Sequence, residues 1–241
     1  MTKQQGWLMA GAAALAGVAG GVVGTRAMAE QATDKSAIER IVHDYILAHP
    51  EIIPEAMQKL QARENGKAID ADRAALEKPF ASAWAGSQSP KVTLVMFSDY
   101  SCGYCRASLP VVAQLLAENP DLKVVWREIP VLGPQSEVAA RVALAAAKEG
   151  QYLPFHKGLF GAGQVDRASI AKVAAATGLD AATLTGVGKG ADISAEIASN
   201  MALAGRLGVN GTPAFVIGDE FFSGAVGYDV LAKAVKDART S

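Results

Sequence analysis

Apolar residues crowd the stretch VTLVMFS at 92–98, a β-branched run too short for a helix, which predicts a buried strand. Beyond 103 the period changes. Leu109, Val112, Leu115 and Leu116 recur at three- and four-residue spacing and predict a helix to about residue 117, kinked at Pro110. LKVVWREI at 122–129 reads as a second buried strand, parallel to the first if the helix between them is a right-handed crossover. A short edge strand with a turn is expected at 84–90. From 134 to about 207 the pattern is helical throughout, with Gly150, Gly178 and Gly208 placed at helix ends. That run far exceeds a crossover, so a helical subdomain is inserted at 134–207. Strands return at 214–217 and 221–223 around Gly218-Asp219, an antiparallel hairpin, and a helix over 228–238 follows. The fold class is therefore α/β.

Ahead of the sheet, residues 34–64 form an amphipathic preface. Ile38, Ile41, Val42, Tyr45 and Ile46 make one helical stripe, with Asp34 or Ser36 as its cap. Pro50 and Pro54 interrupt it, and a second helix carrying Met57 and Leu60 starts near Pro54. So short a hairpin cannot bury its own stripe; it packs on the domain or meets a copy of itself. A polar tract from Arg63 to Lys78, with Asn65-Gly66 inside it, reads as detaching the hairpin and favours self-association. The expected organisation is a helical segment at 30–66, a linker helix at 67–84 and the main domain at 85–241.

Composition changes the picture mainly at the N-terminus. Lys3 precedes a Gly/Ala/Val/Leu run from 7 to 24, and Ala27-Met28-Ala29 stands before Glu30. This is the pattern of an export signal cleaved after Ala29, so 1–29 is expected to be absent from a mature, periplasmic protein. An uncleaved membrane anchor is the competing reading of the same run. Cleavage removes Lys3 and Arg26 and no acid, taking the net charge from -1 to -3. Such a balance gives no sign of nucleic-acid binding.

Between the first strand and its helix stand Cys102 and Cys105, the chain's two cysteines, enclosing Gly103 and Tyr104. A strand feeding Cys-x-x-Cys at a helix start puts the first sulfur beside unpaired N–H groups and the positive end of the helix dipole. A thiolate is favoured there, as nucleophile and as leaving group. A structural bridge closing so short a loop would remove little unfolded-state entropy. Zinc would need about four N or S ligands, and His43, His49 and His156 are scattered. No metal site and no cofactor is expected, and His156 and Phe155 are read as packing. Val209-Asn210-Gly211-Thr212-Pro213 precedes the hairpin, and its prolyl bond is open to either isomer.

With FSDYSCGYC, the helical insertion and GVNGTPAF in view, residues 85–240 resemble a thioredoxin-fold protein of the DsbA-like family. The preface IVHDYILAHPEIIPEAMQKLQ is similar to the N-terminal segment of exported DsbA-like proteins of the ScsC type, some of which oligomerise through it and act as isomerases. The resemblance implies a thioredoxin fold with an inserted helical subdomain and an N-terminal helical extension. It implies that Cys102 is the exposed attacking cysteine and Cys105 the buried resolving one. It implies that Pro213 is cis against the disulfide, and that Thr212 offers its backbone to an extended substrate. Gly103 and Tyr104 would contact that substrate. Two features depart from the family: Met96 stands where many relatives carry a buried acid, leaving Asp99, Glu128 or water to move the proton of Cys105, and no histidine lies between the cysteines.

The expected function is thiol–disulfide oxidase or isomerase acting on cysteine-containing exported proteins, served by a membrane redox partner and with self-association through 34–64. The competing expectation is a non-enzymatic exported binding or surface protein that uses the fold as a scaffold around an inert disulfide.

Overall fold

The computed structural model describes residues 35–240. The export signal, its cleavage after Ala29 and the Asp34 cap lie outside these residues. Among the described residues no helix is long and apolar enough to cross a membrane.

A five-stranded mixed sheet organises the main domain, in the order β1-β3-β2-β4-β5. Its strands are β1 (Trp84–Gly86), β2 (Val92–Ser98), β3 (Leu122–Glu128), β4 (Ala214–Ile217) and β5 (Glu220–Ser223). The apolar run 92–98 is the central strand, buried at every residue. It lies parallel to β3 and antiparallel to β4, with Met96 opposite both Trp126 and Phe215. Period-two alternation sends its side chains into two cores. Leu94 and Met96 face one cluster with Val112, Leu115, Trp126 and Phe155. Val95 and Phe97 face a second with Ile69, Leu76, Leu203 and Leu207.

Helix α3 (Gly103–Glu118) joins β2 to β3 and continues through Pro110. The insertion is five helices: α4 (Pro134–Lys148), α5 (Tyr152–Gly161), α6 (Arg167–Ala176), α7 (Ala181–Val187) and α8 (Ala191–Arg206). Helix α9 (Tyr228–Asp237) follows the hairpin, whose turn holds Gly218 at φ 57°. At Gly86 (φ 97°) a Cβ would stand 2.2 Å from the Leu122 carbonyl oxygen, so only glycine lets β1 approach β3 there.

Two compact units are present, dividing at Lys59/Leu60. In the first, α1 is described over residues 35–48 and turns through His49-Pro50-Glu51. The next helix, α2 (Ile52–Glu77), starts ahead of Pro54, whose missing N–H falls in the first turn, where helical partners are lacking anyway. The stripe remains open to solvent: Ile41 is 68% exposed and Tyr45 56%.

The tract 63–78 is helix rather than loose chain over 63–77: α2 runs unbroken through Asn65-Gly66, and its second half belongs to the sheet domain. The physical reason is tertiary. Ile69 and Leu76, seven residues and two turns apart, are 0% and 1% exposed in the second core. Buried Arg127 of β3 donates to the carbonyls of Ala75, Leu76 and Lys78 at the end of the helix. Its remaining nitrogen, Nη1, donates to Glu196 at 2.8 Å and to Asn200 at 3.1 Å. Arg73 bonds Asp219 and the Gly218 carbonyl, and Arg206 forks onto Asp72. These contacts outweigh the cost of about 1 kcal/mol for a glycine inside a helix.

Candidate active site

β2 ends at Ser98, the chain turns through Asp99-Tyr100-Ser101, and Cys102 caps α3 with extended backbone (φ −84°, ψ 116°). An ordinary N-cap is a short oxygen side chain; here sulfur takes the place. Its Sγ accepts from the Cys105 backbone N–H at 3.4 Å. On the other side the Cys102 thiol donates to the Thr212 carbonyl at 3.2 Å. Sheet register brings about this meeting across 110 residues: Ala214 pairs with Phe97, which sets Thr212 and Pro213 beside the end of β2. The Thr212–Pro213 peptide bond is cis.

The pair is unequal. Cys105 is fully buried and Cys102 is 6% exposed. Cys102 is thus the more accessible sulfur but not an openly exposed one, because the 212–213 loop lies over it. Burial pushes the Cys105 thiol well up, against the weaker opposing pull of hydrogen bonds from the Asp99 backbone and the Thr212 side chain. Cys105 therefore keeps its proton at neutral pH unless its sulfur is exchanged. Tyr104 is 70% exposed, and a side chain at Gly103 would stand in open space. The structure thus brings Cys102, Cys105, Thr212 and Pro213 together, with Gly103 and Tyr104 at the mouth.

Both carboxylates offered as substitutes for the missing acid are engaged by other groups. Both oxygens of Asp99 are committed. Oδ1 accepts from the Ser101 N–H at 2.7 Å and the Ser136 hydroxyl at 2.6 Å; Oδ2 accepts from the N–H groups of Val131 and Leu132 at 2.9 and 3.0 Å. This buried side chain holds the turn. Glu128 belongs to another cluster, with Tyr152, His156 and Tyr100, all four 0% exposed. The Tyr152 hydroxyl donates to Glu128 Oε1 at 2.5 Å, which lies 3.8 Å from His156 Nδ1. The Tyr100 hydroxyl is 2.9 Å from that same Nδ1. Burial, and then Glu128, pushes both tyrosine hydroxyls well above their ordinary range. His156 packs as expected, stacked on Tyr152 at 5.1 Å between ring centroids, but it also bonds. Tyr100, Tyr152 and the clamp role of Asp99 escape the sequence reading. The only local hint is polar residues set inside apolar runs.

A cysteine at a helix N-cap, a buried partner one turn on and a prolyl loop across the sulfur together define a thioredoxin-fold dithiol of the kind that exchanges disulfides. Comparison with known proteins gives the family. The model for the DSBA-like thioredoxin domain matches residues 93–236, and that for the copper resistance protein ScsC N-terminal domain matches 34–65. The chain belongs to the DSBA-like thioredoxin domain family.

Among solved structures, it is similar to a thioredoxin-like oxidoreductase from Silicibacter pomeroyi, with 39% identity over 69% of this chain and 96% of that one (TM-score 0.66). A linker-deletion variant of Proteus mirabilis ScsC is 30% identical over 86% of this chain and 95% of its own (TM-score 0.68). The thiol-disulfide exchange protein alpha-DsbA2 from Wolbachia pipientis is 31% identical over 74% and 97% (TM-score 0.68). A further match, 28% identical over 65% of this chain, is a Na(+)/H(+) antiporter, NhaA 3, of Salinispora tropica. The chain spans about a quarter (24%) of that curated relative.

Proposed function

We propose that the protein is exported and forms or reshuffles disulfides in other exported, cysteine-containing proteins, with Cys102 as the reacting sulfur. The observation that carries this reading is the placement of Cys102 Sγ, 3.4 Å from the Cys105 N–H and 3.2 Å from the Thr212 carbonyl, beside Pro213. As oxidase, the Cys102–Cys105 disulfide is attacked at Cys102 by a substrate thiolate. That bond breaks, Cys105 leaves and takes a proton, and a mixed disulfide joins Cys102 to the substrate. The substrate's second thiolate then attacks its own sulfur in the mixed disulfide. Cys102 departs, and two electrons have passed from substrate to enzyme. A membrane redox partner takes those electrons to restore the disulfide. As isomerase, the reduced Cys102 attacks a wrong disulfide and is released once the substrate has re-paired its thiols.

The backbone at Thr212 is the edge to which an extended substrate adds, with Tyr104 offering apolar contact. Export is supported by the signal-like pattern of 1–29, with cleavage after Ala29. Self-association through 34–64 is supported by the open stripe Ile38, Ile41, Val42 and Tyr45, each more than half exposed. Several Cys102 sites held in one assembly favour isomerisation over simple oxidation.

The test is reduction of insulin and refolding of scrambled ribonuclease by the mature protein, with Cys102→Ser as control. Activity abolished by Cys102→Ser is the expected result; an inert wild-type dithiol overturns the reading. Light scattering on the mature protein tests the assembly, and a monomer overturns that part.

A further inference from the structure

Consecutive residues of the turn ahead of Cys102 are fastened to the helical insertion. Asp99 holds Ser136 on α4 and the backbone of Val131 and Leu132; Tyr100 holds His156 on α5. The second clamp is sealed from water, since Tyr100, Glu128, Tyr152 and His156 are all 0% exposed. Two of its atoms, His156 Nε2 and Glu128 Oε2, have no partner among the described residues. Losing the Tyr100 hydroxyl would leave His156 without that hydrogen bond as well. A bond of this kind has its full local consequence, because water cannot replace it.

We infer that Tyr100 is a positioning residue for the dithiol: through His156 on α5, backed by Glu128 and Tyr152, the insertion holds the turn that presents Cys102 and thereby favours the reduced over the oxidised pair. The inference rests on the reading of Cys102 and Cys105 as the reacting pair. Its asymmetry follows from what fixes the Cys102 sulfur in each state. In the reduced form the sulfur keeps its place by non-covalent contacts with the Cys105 N–H and the Thr212 carbonyl, and so depends on the turn. In the oxidised form an S–S bond of about 2 Å fixes it covalently. Loosening the turn therefore costs the reduced form more. Oxidation transfers two electrons from the pair to glutathione disulfide, yielding the protein disulfide and two glutathione thiols. Its equilibrium constant reads the difference between the two states directly.

The experiment equilibrates full-length mature protein in glutathione redox buffers, traps thiols with acid and an alkylating agent, and counts adducts by mass. Tyr100→Phe, which removes one oxygen, is expected to raise the oxidation constant roughly fivefold, the size of one buried hydrogen bond. His156→Phe is expected to move it the same way. His156→Asn, which keeps a hydrogen-bonding atom near the Nδ1 position, is expected to stay within about twofold of wild type. A purely structural contact would lower the melting points of both redox states alike and leave the constant where it was. That result in Tyr100→Phe and His156→Phe, or a shift toward the reduced form, overturns the inference. The glutathione equilibrium needs no protein substrate. A shifted constant in a protein that fails on insulin and ribonuclease therefore sinks the proposed function and spares the positioning role, while the reverse pattern does the opposite.

Discussion

The sheet domain and the N-terminal hairpin spend their apolar residues in opposite ways. In the domain, β2 is buried at all seven positions, and its polar neighbours Asp99 and Arg127 are each satisfied by several partners. In the hairpin, Ile38, Ile41, Val42, Tyr45, Leu47, Ile53 and Met57 remain between 48% and 68% exposed. A unit of the first kind is stabilised by its own interior; one of the second kind leaves apolar area whose burial needs a partner. Helix α2 takes part in both modes. Up to Lys59 its side chains Ile53 and Met57 stay in solvent, while Ile69 and Leu76 further on are inside a core. Thiol–disulfide exchange itself should therefore need only the domain, while assembly, and with it the balance toward isomerisation, follows the hairpin.

That division breaks most visibly at the dithiol. Cys102→Ser is expected to lower thiol–disulfide exchange on the order of 1,000-fold or more, as loss of a covalent-catalysis nucleophile does, with the light-scattering mass unchanged. A fall in mass would join the two regions that the account keeps apart. Next in size is Arg127→Leu, which leaves the carbonyls of Ala75, Leu76 and Lys78 and the carboxylate of Glu196 without their buried donor. Urea unfolding should show a loss of about 3 kcal/mol, the usual scale for removing one partner of a buried pair. A change below about 0.5 kcal/mol would mean that the second half of α2 is held by its apolar contacts alone.

Alkaline pH probes the domain's buried hydroxyls. Burial raises the folded-state pKa of Tyr100 and Tyr152, so the fold holds those protons more tightly than the unfolded chain does. The stability they contribute is complete below the unfolded tyrosine pKa of about 10 and is lost as pH rises beyond it. Measured on the oxidised protein, where Cys105 has no proton to lose, stability should be level to about pH 10 and fall above it. Tyr152→Phe should shallow that fall, and an unchanged slope would contradict the shift. The smallest effect on stability belongs to the hairpin. Ile41→Lys should change unfolding free energy of the domain by no more than about 0.5 kcal/mol yet reduce the mass seen by light scattering.

What could be read from residues was whatever depends on near neighbours. The change from a short unbroken apolar run to three-and-four spacing around Cys102 revealed strand and helix, and the glycine-bounded helices of the insertion followed from the same periodicity. GVNGTPAF pointed to the prolyl loop only through resemblance, since nothing local places it beside a sulfur 110 residues away. The docking of 60–77 was hidden because two apolar residues seven apart in a polar tract make a weak stripe, and the helix end is closed by an arginine from β3. The cluster of Tyr100, Glu128, Tyr152 and His156 was hidden for the same reason, its members coming from three separate elements. The exposed Cys102 was implied by the resemblance alone; how far the remote loop covers it only the fold shows.

The central claim is that the sulfur of Cys102 is attacked and that of Cys105 resolves. Reduced Cys105→Ser protein mixed with scrambled ribonuclease tests it most directly, with products separated under non-reducing conditions and mapped by peptide mass. The account predicts a stable one-to-one mixed disulfide on Cys102 and none with the Cys102→Ser variant. No covalent complex, or one formed through Cys105, would contradict it.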